Sequence, residues 1–181
     1  LEGNSGWDRY VFSNSWGEDT IQSEWAGDDT LDFTAVTGNL TIHLAADSGD
    51  EVTDGTNTVN WIEGNTFEYV LGGSGNDSIT GDSGDEDFSG NAGNDTLSGA
   101  AGSDWLNGGA GNDQLNGGSG NDVYYGLDNS SGADTIDDSA GTADQVMVNQ
   151  NIADASWSAV DSNSDGKLDQ LKMDFGSGNS I

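Results

Sequence analysis

Large apolar residues recur every nine positions through the middle of the chain: Ile79, Phe88, Leu97, Leu106, Leu115 and Tyr124. Small and polar residues fill the intervals, with the same period. Glycine stands seven places before each apolar residue (Gly72, Gly81, Gly90, Gly99, Gly108, Gly117) and again four places before it (Gly75, Gly84, Gly93, Gly102, Gly111, Gly120). An acid stands two places before it: Asp77, Glu86, Asp95, Asp104, Asp113 and Asp122. The stretch 72–125 thus divides into six units of nine residues. The first six residues of a unit predict a turn, because glycine takes φ > 0 without steric cost and leaves its carbonyl bare. The last three predict a short strand whose apolar centre points one way and whose neighbours point the other.

The units follow the pattern G-G-x-G-x-D-x-U-x, and 72–125 resembles the RTX (repeats-in-toxin) family, whose nonapeptides build a calcium-binding parallel β-helix. One glycine-rich loop would be a weak signal; six contiguous units in register are specific. The resemblance implies an all-β fold, a right-handed parallel β-roll flanked by antiparallel strands or hairpins. It also implies a hemolysin-type module of a large bacterial protein, released by type I secretion and folded in external calcium. The parent would be an adhesin, toxin or exoenzyme.

With two units per coil, strands alternate between two parallel sheets. Ile79, Leu97 and Leu115 then stack on one inner face, and Phe88, Leu106 and Tyr124 on the other. The acids form two columns, Asp77, Asp95 and Asp113 beside one sheet and Glu86, Asp104 and Asp122 beside the other. Strands pair at about 4.8 Å, so bare carboxylates at that spacing repel. A hard cation held by carboxylates and backbone carbonyls removes the repulsion, which describes Ca²⁺ better than octahedral, water-retaining Mg²⁺. The chain has no Cys and a single histidine, His43, which disfavours transition metals. Candidate ligands are the six column acids with Gly73, Gly75, Gly84, Gly93, Gly102, Gly109, Gly111, Gly118 and Gly120 through their backbone, for several Ca²⁺ ions. Six apolar side chains make a thin core, so the stretch is expected to fold only with metal, because ion binding is then folding free energy.

Residues 1–33 carry the pattern again. Gly3-Asn4-Ser5-Gly6-Trp7-Asp8-Arg9-Tyr10-Val11 is a complete unit, with Asp8 at the metal place. Gly17-Glu18-Asp19-Thr20-Ile21 echoes Gly132-Ala133-Asp134-Thr135-Ile136, and Gly27-Asp28-Asp29-Thr30-Leu31 echoes Gly141-Thr142-Ala143-Asp144-Gln145-Val146. Unless these echoes are chance Gly/Asp similarity, 1–33 is the end of a preceding module. Residues 34–71 then hold a β-hairpin and degenerate coils, 72–125 the calcium-binding roll, and 126–181 capping strands and a hairpin. Alternation over 31–44 with Thr37-Gly38-Asn39 between predicts the first hairpin, with His43 facing outward. Counting back by nines from Ile79 reaches Val70, Trp61 and Val52, which extends the roll upstream, with Trp61 capping the inner stack. A second hairpin is predicted from 156–160 and 170–175. Its loop, Asp161-Ser162-Asn163-Ser164-Asp165-Gly166-Lys167-Leu168-Asp169, matches the start of an EF-hand-type loop, with Lys172 where a glutamate belongs. It reads either as a calcium loop with Asp161, Asn163, Asp165 and Asp169 as ligands or as a tight polar turn.

The charge sharpens the picture. Against 33 acids stand three Lys and Arg residues, for a formal net charge of −30. That excludes nucleic acid and anionic membranes as partners and calls for counter-cations. There is no Cys, so no disulfide framework substitutes for metal. No apolar run reaches the length of a membrane span, and no targeting signal occurs, which reads as a piece excised from a longer chain. One histidine, no G-x-S-x-G elbow and no phosphate-loop lysine leave no catalytic constellation, so no enzyme is expected. The expected function is a Ca²⁺-binding structural and folding module of a secreted RTX protein, located outside the cell or on the bacterial surface. Its partners are calcium ions and neighbouring modules of the same chain, and it is a monomer. The alternative is a calcium-dependent ligand-binding module of an adhesin, taking a glycan, a protein or a surface. Finally, Trp105, Val123 and Tyr125 would form an apolar patch outside the Phe88 sheet, so a flanking hairpin, Leu40/Ile42/Leu44 or Leu171/Met173/Phe175, is expected to cover it.

Overall fold

The computed structural model describes residues 1–3, 5–22, 27–44, 52–61, 66–127, 132–138, 144–148, 156–160 and 170–174, the last two as backbone. The described residues form strands and turns only, in two sheets. Sheet I runs β1 (Arg9–Ser13), β3 (Thr30–Ala35), β7 (Tyr69–Leu71), β9 (Asp87–Ser89), β11 (Trp105–Asn107), β13 (Val123–Leu127) and β15 (Gln145–Val148), with every pair parallel. Sheet II runs β2 (Glu18–Ile21), β6 (Thr58–Trp61), β5 (Val52–Thr53), β4 (Thr41–His43), β8 (Ser78–Thr80), β10 (Thr96–Ala101), β12 (Gln114–Ser119), β14 (Thr135–Ile136), β17 (Gln170–Asp174) and β16 (Ser156–Val160). The chain crosses between sheets at each glycine turn, which makes a β-roll.

The nine-residue phase sets the register. In sheet I, Val70 pairs with Phe88, Phe88 with Leu106 and Leu106 with Tyr124. In sheet II, Ile79 pairs with Leu97 and Leu97 with Leu115. Each points inward and is buried, because a three-residue strand with one apolar centre can bury only that residue. Truncating Leu97 or Leu106 to alanine is expected to cost about 2–5 kcal/mol. Ser98→Ala, on the outer face, should cost little. Chemical denaturation in saturating calcium measures both, and similar losses at the two kinds of position would contradict the facing seen here.

Upstream of the repeats the structure departs from the count by nines. The neighbour of Ile79 in sheet II is Ile42, and Trp61 pairs instead with Ile21. Val52 pairs with Ile42 in sheet II and not with the Phe88 column. The cause is an inserted hairpin. β5 and β6 pair antiparallel around a turn in which Asp54 accepts hydrogen bonds from the Thr56 and Asn57 amides at 2.9 and 2.7 Å. This local pairing wins over continuation of the coil and wedges two strands between β2 and β4. Trp61 is buried in the core, edge-on to Phe67. The hairpin expected across 37–39 does not form either. β3 lies in sheet I and β4 in sheet II, so that turn is a crossing between sheets. His43 is exposed, as the parity of its strand requires.

No described element covers the outer face of sheet I. Leu40, Ile42 and Leu44 are buried inside the roll. The β16–β17 pair extends sheet II through an antiparallel contact with β14. Trp105 is 44% exposed and packs edge-on against Tyr125, whose hydroxyl donates to Asp87 at 2.8 Å. The first candidate hairpin is therefore corrected, because Leu40, Ile42 and Leu44 face the inside of the roll; the backbone of the second runs beside β14 in sheet II, and Phe175 lies outside the described residues.

Candidate metal centre

Each turn is shaped by two contacts that only glycine allows. A Cβ on the first residue of a unit would strike the carboxylate of the same unit: Gly90 against Asp95, Gly99 against Asp104, Gly108 against Asp113, Gly117 against Asp122. The acid folds back beneath its own turn. At the fourth place, Gly93, Gly102, Gly111 and Gly120 have φ between 125° and 148°. A Cβ there would overlap the carbonyl of Gly75, Gly84, Gly93 and Gly102 respectively, one coil away. Gly109 and Gly118 at the second place are also left-handed, at φ 98° and 94°. Fourth-place carbonyls therefore stack from coil to coil beside the acids.

The acids form two ladders. Leu40 N donates to Asp77 Oδ1 at 2.9 Å, Asp77 N to Asp95 Oδ1 at 2.7 Å, Asp95 N to Asp113 Oδ1 at 2.8 Å and Asp113 N to Asp134 Oδ1 at 3.1 Å. On the other side, Glu86 N donates to Asp104 Oδ1 at 2.9 Å, Asp104 N to Asp122 Oδ1 at 2.8 Å and Asp122 N to Asp144 Oδ1 at 3.0 Å. The same ladder runs among the upstream strands, where Asp8 N donates to Asp29 Oδ1 and Asp29 N to Glu68 Oε2. Asp29, Glu68, Asp134 and Asp144 were not among the candidate ligands. The signal for three of them lay in the echoed segments, which keep the acid and a glycine two or three places before it but lack the glycine that opens a unit. A further ladder outside the acids explains the fifth-place asparagine: Asn94 N donates to Asn76 Oδ1 and Asn112 N to Asn94 Oδ1, both at 2.8 Å.

One oxygen of Asp77, Asp95, Asp104, Asp113 and Asp122 is thus used by the backbone. The second is not: Glu86 Oε2 and the Oδ2 atoms of Asp8, Asp95, Asp104, Asp113 and Asp122 are buried without a hydrogen-bond partner. Native structures rarely leave buried polar atoms unsatisfied, and a regular row of them fits a cation-binding column. Asp77 differs, since its Oδ2 accepts from Gly73 N at 2.7 Å. An all-oxygen, anionic donor set suits Ca²⁺. The loop with Asp161, Asn163, Asp165 and Asp169 lies outside the described residues.

Burial also raises the carboxyl pKa values. Glu86 is pushed up to about 9, by burial first and then by Asp82 and Asp104. Burial raises Asp95 to about 7 and Asp104 to about 6, with neighbouring column acids adding to both. Asp77, Asp113 and Asp122 rise for the same first cause. A cation must displace these protons. Calcium titrations at pH 5, where part of the metal-free chain stays folded with these carboxyls protonated, should therefore report net proton release in buffers of different ionisation heat. Apparent affinity should also fall as pH drops from 8 to 5. Affinity independent of pH over that range would exclude the column acids as ligands.

A family comparison matches residues 64–97, 89–124 and 98–136 to the RTX calcium-binding nonapeptide repeat (4 copies). Residues 64–136 thus carry this family's repeat. The matched span includes both acid columns of the RTX repeats and reaches past them to β14, so Asp134 lies inside it. No curated protein matches the chain.

Proposed function

We propose that this chain is a Ca²⁺-binding structural and folding module of a secreted bacterial RTX protein, without enzymatic activity of its own. Several ions bind along the two columns, each to a carboxylate of Asp77, Glu86, Asp95, Asp104, Asp113 or Asp122 and to turn carbonyls. The glycines at the first, second and fourth places give those ions room. Asp8 serves the upstream turn in the same way. Type I secretion delivers the chain unfolded, and calcium outside the cell folds it as a monomer beside the other modules of its parent. Residues 1–33 close a preceding module and 126–181 cap this one. The observation that carries the reading is the row of buried carboxylate oxygens without a partner. Equilibrium dialysis against ⁴⁵Ca²⁺ with excess Mg²⁺ tests it. Several calcium ions per chain are expected, and fewer than one would overturn the reading. A second reading, a calcium-dependent ligand-binding module, draws on the open outer face of sheet I, where Trp105 and Tyr69 are exposed. Glycan-array binding that is abolished by chelation and by Trp105→Ala would favour it.

A further inference from the structure

The sheet I column does not end as it runs. Within the repeats, each acid accepts from the backbone of the coil before it. At its last repeat acid, Asp122, two further carboxylates converge from outside the repeats: Asp138, just after β14, and Asp144, just before β15. One carboxylate oxygen from each of the three lies within 4.8 Å of the other two.

Acids at a surface cluster for many reasons, but Asp122 is not at the surface. It is fully buried, its Oδ1 accepts from Asp104 N, and its Oδ2 has no hydrogen-bond partner. The two outer acids are held in place by groups that are themselves fixed. Asp144 Oδ1 accepts from Asp122 N at 3.0 Å. Asp138 Oδ2 accepts from the Tyr124 hydroxyl at 2.7 Å, and that hydroxyl accepts from Gly117 N at 2.7 Å. Tyr124 is a buried core residue, so this relay orients a ligand from behind, as outer hydrogen-bond partners of metal sites do. Ligand oxygens sit about 2.3–2.6 Å from Ca²⁺, so two on opposite sides of one ion lie roughly 5 Å apart.

We propose that Asp122, Asp138 and Asp144 form a calcium site that closes the C-terminal end of the sheet I column. It is built from three side-chain carboxylates on three separate turns, and Asp138 and Asp144 lie outside the nonapeptide units. The ion ties the last repeat to the end of β14 and the start of β15. The inference rests on the calcium reading of the repeats, and its test separates the two.

In the full chain, the double variant Asp138→Asn, Asp144→Asn is expected to bind one calcium ion fewer by calorimetry than the unsubstituted chain. Asparagine keeps an acceptor for Tyr124 and for Asp122 N while removing charge. An unchanged stoichiometry would overturn the site. Should the variant fail to fold, crystals of the unsubstituted chain grown with Tb³⁺ decide by anomalous scattering. A peak between the three carboxylates supports the site. Peaks along the repeat columns with none at Asp138 and Asp144 overturn it and leave the repeat reading intact. No peak anywhere, at saturating Tb³⁺, overturns both.

Discussion

Chelating calcium should abolish the β-structure of the roll, and restoring calcium should bring it back. The metal-free fold keeps at least five column carboxyls buried with one oxygen unsatisfied. A buried polar group without a partner costs about 1–3 kcal/mol, and more if charged. The inner face supplies one apolar side chain per unit, too thin a core to offset that cost together with the ordering of glycine-rich turns. The pH dependence of the metal-free chain follows from the raised carboxyls. Their unfolded values lie near 4, and their folded values rise to about 6 for Asp104, 7 for Asp95 and 9 for Glu86. Between those limits the folded state binds more protons than the unfolded state, so its stability falls as pH rises. Chelation should therefore unfold the roll fully at pH 8 and less completely at pH 5. Circular dichroism with EGTA at both pH values measures this. A β-spectrum that survives chelation at pH 8 would show that the repeats fold without metal.

Gly111→Ala should be among the most damaging single substitutions in the chain, more so than loss of a core leucine. Its φ is 148°, a region L side chains avoid, and its Cβ would overlap the carbonyl of Gly93 in the neighbouring coil. The conformational strain alone costs about 1–3 kcal/mol. Relieving the overlap would separate the two coils where the acid ladder and the stacked carbonyls run, so calcium affinity should drop with stability. Ala100→Gly is the matched control. Ala100 already sits in the left-handed region at φ 78°. Releasing that strain gains about 1–2 kcal/mol, against about 0.4–1 kcal/mol for the greater freedom of glycine in the unfolded chain. That variant should be as stable as the parent or more so. Denaturation midpoints in saturating calcium compare the two. Equal midpoints for Gly111→Ala and the parent would mean that the coils lie further apart than this structure places them.

Most of the repeat region was legible in advance. The inner stacks, the sheet alternation and the two acid columns follow from the spacing of Ile79, Phe88, Leu97, Leu106, Leu115 and Tyr124 and of the acids before them. The outer asparagine ladder was present in the same units, but its partner is one coil away, and nothing local to Asn94 marks it. The upstream extension succeeded at Val70 and failed at Trp61 and Val52. An inserted hairpin whose strands also place apolar residues nine apart cannot be told from another coil by counting. The first candidate for a covering hairpin failed for a related reason: an apolar face predicts burial but not which surface buries it.

By itself, then, the sequence determined the coil. Each nonapeptide meets only the units beside it, so a fixed period encodes a fixed set of neighbours, and the turn chemistry repeats with it. Only the tertiary structure decided what happens where the period lapses. It set Ile42 beside Ile79, paired the Leu40 amide with Asp77 across 37 residues, left Trp105 in the open, and drew Asp138 and Asp144 to Asp122. Those contacts join segments with no constant spacing. They depend on how two finished sheets end, which no local pattern records.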